Sequence, residues 1–207
     1  MDNLVTLTYY STHYYLVDCK DGRLLIDAGM PGTLPKFMNQ LKAFDIPIQQ
    51  IKYILITHTH PDHAGIVQEL KNLSGARLVI HQTQIPYLAD LKSLFERKGG
   101  YVPILVGKED LIIGANNRPT LGAIGLQGEV VETRGHSDDS ISLVLDSGMA
   151  FVGDLTRPDL AVEENEALIR ESWNKLIGLN ARTFYPSHSD PVQLKELKKL
   201  LGSERDG

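Results

Sequence analysis

The stretch ILITHTHPDHAG, residues 54–65, runs from an aliphatic segment into three histidines within six positions, in a chain that holds only seven. An unbroken apolar run such as residues 53–56 suits a strand buried on both faces, which demands a packed layer on each side of its sheet. His58 and His60 then stand two apart at the end of the extended segment, so their side chains leave on the same side. Pro61 turns the chain, and Ala64, Val67, Leu70 and Leu73 follow at three-residue steps up to Gly75, which marks a helix with a C-terminal stop. Asp62 and His63 therefore begin a helix and can fold back toward the strand end. Imidazole and carboxylate donors gather at the carboxyl edge of a buried strand, a common place for sites in α/β structures. These are the donor types that zinc prefers. A polar turn with an Asp cap accounts for one histidine there, not for three at this spacing.

The rest of the chain supplies the layers. Residues 4–10, 13–18 and 23–27 pattern as three strands, with Lys20, Asp21 and Gly22 as a turn, so the chain opens as an antiparallel sheet. Phe37, Met38, Leu41 and Phe44 mark one face of a helix after Thr33. A strand at 77–80 precedes a helix with Ile85, Leu88, Leu91 and Phe95 on one side. Residues 99–128, broken by Gly, Pro and the Asn116-Asn117 pair, are expected to form a loop-and-hairpin region that carries substrate specificity. Strands follow at 129–133, 141–145 and 150–152, then a helix bearing Ile169, Trp173, Leu176 and Ile177. A strand at 182–185 leads to Asp190-Pro191, expected to cap and start a final helix with Leu194, Leu197 and Leu201. Two mixed sheets face to face with helices outside satisfy this order, as one α+β domain over residues 1–207.

Bulk properties narrow the function. The formal net charge is -5, without the basic character that nucleic acid or an anionic membrane attracts. Cys19 is the single cysteine, so neither an intrachain disulfide nor a thiolate metal cluster can form. No apolar run approaches the ~18 residues of a membrane span. The first residues, with an acid at position 2 and polar residues through the apolar stretch, lack the pattern of a secretory signal. The expectation is a cytoplasmic protein acting on a small molecule.

THTHPDHAG resembles the HxHxDH signature of the metallo-β-lactamase fold superfamily. Four further segments follow that family's order: LLIDAG at 24–29, RGHSDDSISLVL at 134–145, FVGDL at 151–155 and YPSHSDP at 185–191. The resemblance implies the fold, a four-layer αβ/βα sandwich of two mixed β-sheets with outer helices. It implies one metal ion on His58, His60 and His136, a second on Asp62, His63 and His188, and Asp154 bridging the two. Zinc is the preferred ion, with manganese or iron as alternatives. Seven ligands leave positions for water and substrate, and a metal-bound hydroxide would attack a carbonyl or phosphoryl group. Asp62 would also accept a proton from the attacking water. Asp27 is expected to orient a ligating histidine by accepting its other N–H.

Departures from the family pattern bear on the substrate. TRGH and SDDS stand where TPGH and TPGS are common, so Arg134, Asp138 and Asp139 are expected to add charge beside the metal loop. Arg157, three residues after Asp154, is a candidate for an anionic substrate group, and His13 for a place facing the site. Among branches of the family, the chain is most similar to glyoxalase II-like thioesterases and lactonases. A hydrolase of a small ester, thioester or lactone is therefore expected. The alternatives are a persulfide dioxygenase-like oxidoreductase with one iron and a non-catalytic metal-binding regulator.

Overall fold

Alternation along the strands decides the layering, because successive side chains point to opposite faces and here both faces are apolar. The computed structural model describes residues 3–95 and 99–202. Its first sheet has six strands in the order β1 (Leu4–Tyr9), β2 (Thr12–Cys19), β3 (Gly22–Ile26), β4 (Ile51–Leu55), β5 (Arg77–His81) and β6 (Leu111–Ile113). The first three are antiparallel and the rest parallel. The second sheet runs β11 (Val192–Gln193), β10 (Thr183–Pro186), β9 (Met149–Gly153), β8 (Ile141–Leu145) and β7 (Gly128–Glu132). Only β9 and β10 are parallel in it.

Tyr15, Val17, Leu24, Ile26, Leu55 and Val79 of the first sheet meet Val130, Ile141, Leu143 and Phe151 of the second in one buried layer. Their neighbours Leu16, Leu25, Ile54, Ile56, Leu78 and Ile80 point the other way. They pack under Phe37 and Leu41 of α1 (Leu34–Ala43) and Val67 and Leu70 of α3 (Val67–Ser74). Across the molecule, Val144, Ala150, Val152 and Phe184 pack on Ile169, Trp173 and Leu176 of α6 (Glu166–Gly178) and Leu197 of α7 (Leu194–Leu200). The result is helix, sheet, sheet, helix. Ile54 and Leu55 thus belong to different cores, which is why the run leading into the histidines is apolar without a break.

Local expectations met four corrections. The helix beginning at Asp62 is two helices, α2 (Pro61–Ala64) and α3, separated at Gly65-Ile66. A Cβ at Gly65 would lie 2.2 Å from Pro31 Cδ, and the Ile66 amide donates to Ala28 O at 3.0 Å instead of to a helix carbonyl. The loop after β3 therefore wedges the helix open. The 99–128 region holds no hairpin: it supplies β6, which joins β5 in parallel, and α5 (Arg118–Ala123). Its first part is pinned to α3, where Lys71 Nζ donates to Leu105 O (2.8 Å) and Asp110 Oδ2 (2.6 Å). The last helix starts at Leu194, not at Pro191, because Val192 and Gln193 pair with β10 as the edge strand β11. Phe44 lies past the end of α1 and is 48% exposed. Gly75, in contrast, ends α3 in the left-handed conformation at φ 72°, as its position in the sequence suggested.

Candidate metal centre

The loops that follow β3, β4, β9 and β10 leave the sheets at the same edge, beside the loop between β7 and β8. Thr57 ties three of these loops together. Its amide and hydroxyl donate to Asp27 Oδ1 and Oδ2 (2.7 and 2.9 Å), and its carbonyl accepts the Ile141 amide at 2.8 Å. Gly153 closes the seam from the β9 side: at φ 57° its Cβ position lies 2.4 Å from Thr57 Oγ1, so only glycine lets Asp154 emerge there.

Seven side chains meet above this seam in two groups. His58, His60 and His136 form one; Asp62, His63, Asp154 and His188 form the other; within each, the donor atoms lie within 4.8 Å of one another. In the first group His60 Nδ1 stands 3.0 Å from His58 Nε2 and 3.0 Å from His136 Nε2. In the second, His188 Nε2 is 3.1 Å from Asp62 Oδ2 and 3.3 Å from Asp154 Oδ2, and His63 Nε2 is 3.4 and 3.3 Å from the same oxygens. Asp154 Oδ2 also reaches the first group, at 3.5 Å from His136 Nε2 and 3.9 Å from His58 Nε2. A tetrahedral ion with bonds of about 2.0–2.1 Å holds its donor atoms about 3.3 Å apart, so these spacings fit a metal.

In three of the histidines the other ring nitrogen is engaged in a way that aims the ligating nitrogen inward. His63 Nδ1 donates to Asp27 Oδ2 at 2.8 Å, and His188 Nδ1 donates to the Ser11 carbonyl at 2.7 Å. His58 Nδ1 lies 3.2 Å from Thr57 Oγ1. Asp27, 1% exposed and at φ 63°, accepts a further bond from Ser187 Oγ at 3.3 Å.

Protonation separates the groups. Burial, with the charge of His63 nearby, pushes His58 well below the usual imidazole value, and burial also lowers His136. Both face His60 Nδ1, which has a single N–H or a single lone pair to offer two nitrogens, and a cation among the three would engage all of their lone pairs. Burial opposes a charge on His63 too, but Asp27 and the Asp154 and Asp62 carboxylates outweigh it and raise its pKa. The carboxylates of Asp154 and Asp62 raise His188 to about 10. Asp62 and Asp154 are held well below the carboxylate range in spite of their burial by those same histidines. In the metal-free protein, protons on histidine thus balance the carboxylates where a dication would. His63 Nε2 and Asp154 Oδ1 remain buried with no hydrogen bond, and an unsatisfied buried polar atom is costly. A bound divalent ion supplies the partner that each lacks, so the residues present fit a metal.

The sequence profile of the metallo-beta-lactamase superfamily matches residues 7–188. The chain belongs to that superfamily. A probable metallo-hydrolase of Bacillus subtilis is 28% identical over 145 residues, covering 67% of this chain and 68% of the relative. A hydroxyacylglutathione hydrolase of a Bradyrhizobium strain is 32% identical over 130 residues, 62% of this chain and 43% of that protein. Among solved structures, a subclass B3 metallo-beta-lactamase of Bradyrhizobium japonicum superposes with a TM-score of 0.71 over 98% of this chain and 88% of its own. At 21% identity that likeness speaks for the fold alone. The metallo-beta-lactamase fold, with a His/Asp cluster at this edge, implies bound divalent metal.

Other residues singled out in the sequence lie elsewhere. The His13 ring is bonded to the Thr8 hydroxyl at 2.8 Å, outside the donor groups. Arg157 lines a cavity beside the cluster, but its guanidinium is held bidentately by Asp159 at 3.0 and 2.9 Å. Arg134 pairs with Glu132 at 2.8 Å on the surface. Asp139 adds no charge to the surface of the metal loop: it is 2% exposed, with Oδ2 accepting the Thr59 amide at 2.8 Å and Oδ1 the Ser137 hydroxyl at 2.7 Å. It thereby ties the His58–His60 loop to the loop carrying His136. Thr57, Ser187 and the Ser11 carbonyl escaped the sequence reading, as did the tying role of Asp139. The one signal was THTH itself, whose alternate threonines supply an anchoring amide on either side of His58. Two cavities open beside the cluster, one bordered by β10 and α6 and one by α4 (Leu88–Phe95), and no residue of 99–128 lines either. The anchored parts of this region meet α3 and β5: Leu105 is bonded to Lys71 and Gln68, and β6 pairs with β5.

Proposed function

We propose that the protein is a binuclear, zinc-dependent hydrolase of small esters, thioesters or lactones. The observation that carries this reading is the reach of Asp154 Oδ2, within 3.9 Å of donor nitrogens in both groups. A carboxylate has two oxygens to share, whereas an imidazole lone pair serves one ion. His58, His60 and His136 would hold one metal, Asp62, His63 and His188 the other, and Asp154 both. Divalent ions held there supply Lewis acidity, bringing the ionisation of a water into the neutral range and polarising a carbonyl oxygen. Asp62, a quarter exposed and held ionised, stands at the edge of the cluster with an oxygen able to accept a proton from the attacking water. Asp27, Thr57 and the Ser11 carbonyl orient the rings of His63, His58 and His188, so that these three need not turn when substrate arrives. The relative that is a hydroxyacylglutathione hydrolase supports a thioester among the candidate substrates.

A panel of chromogenic esters, thioesters, lactones, β-lactams and phosphodiesters, assayed with zinc, manganese and iron, tests this. Turnover of an acyl substrate, abolished by a chelator and restored by zinc, is the expected outcome. Oxygen consumption on a persulfide with a single bound iron, and no hydrolysis, would replace it with the dioxygenase reading.

A further inference from the structure

Beside Asp154, His136 and His188 lies a cavity of about 400 Å³ that the metal chemistry does not use. Its wall is built from Leu155, Leu160, Trp173, Phe184, Pro186 and Val192. The large polar handles in that wall are already engaged: Trp173 Nε1 donates to the Thr156 carbonyl at 2.8 Å, and Asp159 holds the Arg157 fork. Among the described lining residues, the only other charged or ionisable groups are those of the donor cluster itself. The cavity on the other flank of the cluster, about 470 Å³, is lined by Leu91 and Leu94 but also by His60, Tyr87, Asp90 and Asp138, so it carries acidic side chains of its own. A substrate whose reacting carbonyl lies over the cluster therefore meets unlike surroundings on its two sides.

We propose that the cavity walled by Leu155, Leu160, Trp173 and Phe184 is a substrate subsite for an uncharged alkyl or aryl group next to the scissile carbonyl. The proposal rests on the hydrolase reading for its catalytic consequence, but the subsite can be read without catalysis. A volume of this size lies in the range of small-molecule sites. An ionised group would lose its hydration against these apolar side chains, and the one charged side chain of the wall outside the donor cluster, Arg157, is already held by Asp159. An apolar chain gains with length instead: each buried methylene tightens binding about fourfold until the cavity is filled. Leu160, 65% exposed on the turn at Pro158–Leu160, stands at the mouth, and Trp173 and Phe184, ring centroids 5.2 Å apart, form the floor.

Trp173 is the only tryptophan in the chain, so its fluorescence reports on this cavity alone. The test titrates the zinc-loaded protein with 1-butanol, 1-hexanol and 1-octanol, and with 6-amino-1-hexanol, which carries a cation on the same six-carbon chain. In parallel, kcat/KM is measured for thioesters of one leaving group with acyl chains of increasing length. The expected result is a Trp173 emission change whose midpoint falls about fourfold per methylene, with 6-amino-1-hexanol at least tenfold weaker than 1-hexanol and kcat/KM rising with acyl length. Leu160→Glu, an exposed position that leaves the fold intact, should flatten both length dependences. Length-dependent binding without turnover of any ester would sustain the subsite and reject the hydrolase reading. Turnover with no length dependence and no Trp173 response would reject the subsite and leave the hydrolase reading standing.

Discussion

Replacing Asp27 with Asn changes one atom and, on this geometry, disables half of the centre. Asn tolerates the left-handed backbone at φ 63° about as well as Asp does, so the effect is not one of strain. Four donors converge on the carboxylate: the Thr57 amide on Oδ1, and Thr57 Oγ1, His63 Nδ1 and Ser187 Oγ on Oδ2. An amide has one acceptor oxygen. If it sits toward Oδ2, the NH2 faces the Thr57 N–H, which can only donate, and a buried backbone donor left unpaired costs about 1–3 kcal/mol. If it sits toward Oδ1, the NH2 faces two hydroxyls and His63. The hydroxyls can rotate and accept, and Thr57 Oγ1 has a second lone pair for His58. His63, charged in the metal-free parent, accepts only by giving up its Nδ1 proton and keeping the one on Nε2. The second arrangement is cheaper, and it points an N–H at Asp62 and Asp154, where the metal lone pair belongs. Reversing that tautomer on metal binding weakens the affinity about 10- to 100-fold, or about 1.4–2.8 kcal/mol. Competitive zinc titration against a chelator should find one of the two ions weakened by that factor and the other changed less than threefold. Equal weakening of both ions, or of neither, would refute the assignment of His63 and Asp27.

Other consequences are as concrete. Lys71→Met leaves Asp110 buried and ionised with only the Leu78 and Gly107 amides as partners; urea unfolding should show a loss of about 3–5 kcal/mol, and an unchanged midpoint would remove the pair from the account. Asp139→Ala should weaken zinc on the His58–His60–His136 group about tenfold or more, while Asp139→Asn, which keeps an acceptor for the Thr59 amide, should stay near the parent; competition titration separates the two. The raised pKa of His188, about 10, and of His63 set a pH dependence. Their contribution to the metal-free fold is complete below the unfolded value of about 6.5 and is lost as pH rises toward 10. Metal-free stability should therefore decline across that window. Zinc binding at pH 7 should release up to two protons, read by calorimetry in buffers of different ionisation enthalpy; binding without proton release would contradict the assigned protonation.

What the sequence made legible follows the range of the interactions. The strand, turn and first helical turn of ILITHTHPDHAG, the stop at Gly75 and the hairpin turn at Asp21-Gly22 are set by neighbours a few residues away, and the structure has all three. The break at Gly65 comes from Pro31, more than thirty positions earlier, and Asp139 acts on an amide eighty residues away. No local pattern announces either. The Asp190-Pro191 pair reads as a helix start, yet strand pairing with β10 takes the next two residues first. The 99–128 region looked like a free loop because its anchors, Lys71 and Gln68 on α3, lie outside it. Arg157 read as an available cation because its partner Asp159 is a surface residue whose geometry depends on the short turn between them.

The central claim is that two donor groups sharing Asp154 hold two divalent ions, and metal stoichiometry tests it most directly. Elemental analysis of protein purified without added metal, repeated after zinc titration, should give two ions per chain for the parent. His60→Ala and His63→Ala should each retain one. A single ion per chain in the parent, or one ion that survives in both variants and in their combination, would contradict the two-group centre.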